Sequence, residues 1–141
     1  MKVLIICSKQ FYSMIPKIKE ELESKGIEVF LPNCYDQPNT EEIYRQLGNQ
    51  AHSEFKSRMF RQSEEVISGV DAVLVLNLDK EKNGQLYKNY IGGATFLEIY
   101  DAWRMGKEIY FYNDIPQGIL YDELQGFAPV LLNRNLKKID R

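Results

Sequence analysis

A carboxylate one turn into an apolar helix, directly behind two glycines, is the feature of this sequence best placed for chemistry. The segment from Asn89 to Trp103 reads Asn-Tyr-Ile-Gly-Gly-Ala-Thr-Phe-Leu-Glu-Ile-Tyr-Asp-Ala-Trp. Its first half is polar and glycine-bearing, hence loop, and its second half is a helix from Ala94 to Met105 closed by Gly106. Glu98 then sits close to the open N–H groups and positive dipole end of that helix, both of which favour an anion. Phe96, Leu97 and Ile99 surround it with apolar side chains, and the Gly92-Gly93 pair lets a ligand approach the backbone. The competing reading is an ordinary first-turn glutamate in water.

Other residues with chemical potential point to fewer functions. The lone His52 lies in a polar helical stretch, with no second histidine and no acidic pair at ligand spacing, so no metal site is expected. Gly92-Gly93 is followed by no Gly-Lys-Ser/Thr, which excludes a P-loop, and residues 8–13 contain no glycine, which excludes a dinucleotide fingerprint. The same loop lacks the Ser/Thr/Gly-rich cradle of a flavodoxin. No cofactor is expected. Lys56, Arg58 and Arg61 read as a solvated helix face, with a phosphate or subunit contact for an arginine as the alternative. Cys7 and Cys34 make no metal pattern and read as two reduced thiols of a cytoplasmic protein, with a redox pair as the alternative.

The 141 residues suit one domain spanning 1–141. A net charge of −2 gives no general attraction to nucleic acid or to an anionic membrane. No apolar run approaches the ~20 residues of a membrane span, and the short, mostly apolar run at 2–7 is a strand rather than a signal peptide.

The elements that must position Glu98 follow from periodicity. Lys2 to Cys7 and Asp71 to Leu78 are continuous apolar runs, the pattern of strands covered on both faces. Ile27 to Leu31, Lys107 to Tyr112 and Pro129 to Leu132 are shorter strands. Ser13 caps a first helix, with Pro16 in its first turn and Ile15, Ile18 and Leu22 on its inner face, ended by Gly26. Asn39 and Glu42 resemble a capping box opening a helical region from Thr40 to Ser68, broken near Gly48 and Asn49. Residues 79–91 read as a long charged loop, and 121–124 as a short helix. Strands and helices alternate, so the expected fold is a doubly wound, flavodoxin- or Rossmann-like α/β sheet of about five parallel strands with helices on both faces. Ligands bind such sheets beyond the carboxyl ends of the strands, which gathers the loops 8–13, 32–39, 78–93 and 113–118.

On the string Asp71-Ala-Val-Leu-Val-Leu-Asn-Leu-Asp79, Lys-Asn-Gly at 82–84 and Asn89-Tyr-Ile-Gly-Gly-Ala-Thr-Phe-Leu-Glu98, the chain resembles the nucleoside 2-deoxyribosyltransferase superfamily. More narrowly it resembles a branch with a Lys-Asn-Gly…Asn-Tyr-Ile-Gly-Gly-x-Thr-Phe-Leu-Glu signature. The resemblance covers about residues 70–135 well and 1–35 loosely. It implies a nucleophilic Glu98 that attacks C1′ of the sugar of a nucleoside or nucleoside 5′-monophosphate, an Asp79 that protonates the departing base, and a Tyr12 that hydrogen-bonds the nucleophile. By the same resemblance, Ser8, Lys9, Phe11, Asn77, Gly92, Gly93 and Thr95 line the substrate, with Lys9 and Ser8 placed to hold a phosphate and Phe11 to stack on a base. From the residues alone, Asp79 also reads as a solvated loop acid and Phe11 with Tyr12 as a hydrophobic staple. The resemblance further implies a homodimer or higher homo-oligomer.

Three positions depart from the superfamily pattern. Ala94 and Tyr100 stand where glycines are usual, and Gly92 stands where an Asp or Ser commonly contacts the sugar. They keep open a hydrolase rather than a transferase, and a non-catalytic nucleotide-binding or sensor domain on the same fold.

Overall fold

A computed structural model describes residues 1–139. The main sheet has five strands, β1 (Lys2–Ile6), β2 (Glu28–Phe30), β3 (Ala72–Val75), and two that follow a hairpin in chain order, β6 (Glu108–Phe111) and β7 (Val130–Leu131). All pair in parallel in the order β2-β1-β3-β6-β7. This is the doubly wound α/β fold expected from the alternation. The order reverses between β1 and β3, the switch point where such sheets open a crevice at their carboxyl ends.

Alternating strand residues feed two apolar layers. Val3, Ile5, Ala72, Leu74 and Leu76 face Ile15, Ile18 and Leu22 of helix α1 (Ile15–Ser24), together with Phe11, Leu136 and Ile139. Leu4, Ile6, Val73, Val75 and Phe111 face the opposite way. They meet Ile67 of helix α3 (Asn49–Ser68), Ile99 and Ala102 of helix α4 (Gly93–Arg104) and Leu124 of helix α5 (Tyr121–Gly126). Helix α2 (Thr40–Gln46) precedes α3, and Gly48 separates them at φ 113°, a backbone only glycine adopts without strain. At φ 83° Gly26 turns the chain out of α1 into β2.

Four local expectations are corrected. Residues Lys9–Met14 form a 3-10 helix rather than open loop, so α1 starts at Ile15 and Ser13 caps nothing. Asn39 precedes α2 without a side-chain cap bond, so no capping box forms. Within the charged segment 79–91, Lys80–Lys82 and Gln85–Tyr87 pair as an antiparallel hairpin, β4 and β5. The hairpin turns on Asn83 and Gly84, at φ 52° and 76°, the Asn-Gly pair that a tight two-residue turn prefers. The last helix runs two residues past the expected Leu124, to Gly126. Among the described residues no helix is long and apolar enough to cross a membrane.

Candidate active site

The crevice at the β1/β3 switch point is a cavity of about 720 Å³. Cys7, Ser8, Lys9 and Tyr12 enter it after β1, and Pro32, Asn33 and Cys34 after β2. Helix α3 supplies one wall through Phe55, Met59, Phe60 and Ser63, and α4 the other through Thr95, Leu97, Glu98 and Tyr100. Gly92, Gly93 and Ala94 form the lip where α4 begins. Gly92 is extended there (φ −83°, ψ 174°), and its carbonyl accepts from Phe96 N at 2.9 Å to close the first turn. No side chain caps this helix, so the amides of its first turn stay open to an anion. A Cβ on Gly92 would sit 3.3 Å from both Ser8 Oγ and the Tyr90 hydroxyl, so a side chain at residue 92 would push these two groups back by a few tenths of an ångström where the first loop, the hairpin stem and the helix meet.

Glu98 is half-buried on the cavity wall. Ser63, buried on α3, donates its hydroxyl to Glu98 Oε2 at 2.8 Å. Burial pushes the Glu98 carboxyl up to about 7, Ser63 and Lys56 pull it down, and the charge of Asp101 adds to the rise. Near neutral pH the group is poised between an acid and a nucleophilic carboxylate. Glu41 behaves in the opposite way. Against its own burial, a 2.8 Å contact with His52 Nε2 and the charges of Lys56 and Arg45 hold it below the usual carboxylate range. Cys7, beside Glu98, has its thiol pushed up to about 12 by burial and by that carboxylate, so it is inert as a nucleophile at neutral pH. Cys7 and Cys34 are both free thiols and both line the cavity.

Of the residues expected at the site, the structure brings Glu98, Tyr12, Ser8, Lys9, Gly92, Gly93 and Thr95 to this one cavity. Tyr12 does not hold Glu98 by a hydrogen bond; its hydroxyl donates to Asn33 O at 3.3 Å. Its position beside Cys7 and Glu98, with burial as the larger cause, raises its own ionisation well above the usual tyrosine value. Phe11, Asn77 and Asp79 lie outside the cavity lining. Phe11 is buried against α1. Asn77 is fully buried and bonds the loop after β6. Asp79 is exposed and accepts from Asn89 N at 3.0 Å, closing the base of the hairpin.

Sequence reasoning missed Ser63 and Asn33. A serine inside a helix and an asparagine beside a proline carry no local signal; only the packing of α3 against the loop after β2 brings them together. Arg58 is exposed, as a solvated helix face requires, and its guanidinium also lies over the rings of Tyr44 and Phe55 at 5.2 and 5.9 Å. The side chains of Lys9 and Arg61, at the cavity, have neither hydrogen-bond nor ion-pair partners among the described residues. Among those residues no group of three His, Cys, Asp or Glu is placed to hold a metal ion. No protein-family model matches the chain, and no curated protein matches it.

Proposed function

We propose that this protein cleaves or transfers the N-glycosidic bond of a (deoxy)nucleoside or nucleoside 5′-monophosphate, with Glu98 as nucleophile. The observation that carries the reading is one carboxylate oxygen held by Ser63 on the wall of a cavity whose lip is an uncapped helix N-terminus. In the proposed reaction the ionised Glu98 attacks C1′, the C1′–N bond breaks, and its electron pair leaves with the base, which takes a proton from water. The resulting glycosyl ester is opened by water, releasing the sugar, or by the ring nitrogen of a second base. Phe60, Leu97 and Tyr100 offer flat apolar surface to a base, and the uncompensated Lys9 and Arg61 suit an anionic substituent on the sugar.

Incubation with a panel of ribo- and deoxyribonucleosides and their 5′-monophosphates, assayed for free base, tests the proposal. Release from at least one substrate is expected. Tight nucleotide binding without base release from any of them would support the second reading, a non-catalytic nucleotide-binding domain. What favours that reading is the place of Asp79, whose carboxylate closes the hairpin instead of reaching the cavity to protonate a leaving base.

The assembly we propose is a homo-oligomer. Helix α4 exposes Leu97, Tyr100 and Trp103, with Tyr100 and Trp103 stacked at 6.0 Å and both packed towards Phe127. An aromatic face of this kind is enriched at protein interfaces, and it runs directly into the cavity wall through Leu97 and Tyr100. Trp103→Glu is expected to convert a dimer or larger species to monomer in light scattering. A wild-type chain that is itself monomeric at the same concentration would refute the assembly.

A further inference from the structure

We infer that Asn33 and Ser63 form a positioning relay that decides which oxygen of Glu98 reacts, fixing Oε2 as a hydrogen-bond acceptor and leaving Oε1 for the substrate carbon. The inference rests on Glu98 being the nucleophile.

The geometry admits one arrangement of protons. The Asn33 Nδ2 group reaches the Met59 carbonyl at 3.3 Å and Ser63 Oγ at 2.7 Å. The carbonyl only accepts, so Nδ2 must be the donor and the amide cannot be flipped. Gln62 Nε2 fixes the other end, donating to Asn33 Oδ1 at 3.0 Å. Ser63 Oγ therefore accepts a hydrogen bond from Asn33, and its own O–H is directed to Glu98 Oε2 at 2.8 Å. Glu98 Oε1 has no partner among the described residues and is not sealed from space, since no buried polar side-chain atom is left unsatisfied. The same Asn33 accepts the Tyr12 hydroxyl on its backbone carbonyl at 3.3 Å, so the first loop, the loop after β2 and α3 are locked at one residue.

A hydrogen bond to one carboxylate oxygen stabilises the ionised form and stops the group from rotating, which keeps the second oxygen aimed. The other groups that bear on Glu98 are Lys56 on α3, Asp101 on its own helix, and the Cys7 thiol and Tyr12 hydroxyl on the side of the first loop. Neither of the last two is charged at neutral pH, Lys56 is shared with Glu41 at 3.6 Å, and Asp101 opposes ionisation. Ser63 is thus the principal group favouring the carboxylate.

The test reads the carboxyl directly. The full chain carrying ¹³C at glutamate side-chain carboxyls is titrated by NMR, with the Glu98 signal assigned by its loss in Glu98→Gln. The wild-type midpoint is expected near 7. Ser63→Ala, which places the best helix former in α3, is expected to move it up by about one pH unit, the size of a hydrogen bond to a charged group. Asn33→Leu, which frees the serine hydroxyl to rotate, moves it in the same direction by less. In turnover, Ser63→Ala lowers kcat with KM unchanged and moves the acid limb of the pH profile upward. A midpoint unmoved by Ser63→Ala overturns the relay. A midpoint moved by Ser63→Ala but not by Asn33→Leu overturns the part given to Asn33. If no substrate releases base, the catalytic reading of Glu98 falls while the titration still decides the hydrogen-bond relay.

Discussion

The Glu98→Gln protein is expected to release no measurable base and yet to be more stable than its parent above pH 7. Removal of a nucleophile leaves only binding and general polarity, so base release should fall by at least about 10³-fold. The stability gain has the same origin as the activity. Burial raises the Glu98 carboxyl from an ordinary 4.5 to about 7 in the folded chain, so the folded state binds that proton more tightly than the unfolded state. The stabilisation this gives is complete below pH 4.5 and is lost as pH rises to 7. Above that, the folded protein holds a poorly solvated charge at a cost of roughly 3 kcal/mol, from about 1.4 kcal/mol per pKa unit. Glutamine cannot ionise and still accepts the Ser63 hydroxyl, so it avoids this loss. The melting temperatures of the two proteins should be close at pH 4 and differ by about 10 °C at pH 8, the substituted chain higher. Equal melting temperatures at pH 8 would show that the carboxylate is well solvated and deprive the site of its poised acid. Such a trade of stability for a strained functional group is the usual cost of an active site.

The parallel sheet with helices on both faces could be read from the sequence because its two central strands are apolar on both faces, and in this chain only such a sheet meets that demand. The position of Glu98 was legible for a similar reason: the glycines and the helix it follows lie within ten residues of it, so local pattern holds the information. What local pattern cannot hold is a partner thirty-five residues away. Ser63 reaches Glu98 only after α3 and α4 pack together, and nothing in the segment from Gln62 to Glu65 announces it. Asn77 and Asp79 mislead in the opposite sense. Both stand at the end of β3, where loops carry function in this fold, but hydrogen bonds to Asn113 and Asn89 turn them to holding the chain in place. The hairpin was hidden because its strands are only three residues each, Lys-Glu-Lys and Gln-Leu-Tyr, and largely exposed, too short for any apolar alternation to register; its one signal was the Asn83-Gly84 pair.

Asn77→Ala is expected to destabilise the fold severely while leaving substrate affinity unchanged. Asn77 is fully buried at the end of β3. Its Oδ1 accepts from Asn113 N at 2.8 Å, and its Nδ2 donates to the carbonyls of Asn113 at 3.1 Å and Asp114 at 2.8 Å. Asn113 answers by donating its own side-chain amide to Asn77 O at 3.1 Å and by accepting Arg134 Nε at 3.0 Å. One side chain thus ties the ends of β3 and β6 together and connects them to the turn after β7. Alanine removes three of these bonds and strands a buried N–H and at least one buried carbonyl, groups that each cost about 1–3 kcal/mol when left unpaired. The sum is about 3–5 kcal/mol, a fall in melting temperature of about 10–15 °C for a chain of this size. Leucine, which restores the volume, recovers little, because the loss lies in the stranded backbone groups rather than in a cavity. Denaturant unfolding measures the stability change, and KM taken well below the unfolding transition measures the contact with substrate. A raised KM at unchanged stability would place Asn77 against the substrate, the role the family resemblance implies for it; a lowered midpoint with unchanged KM makes it the clasp that holds the two strand ends beside the cavity.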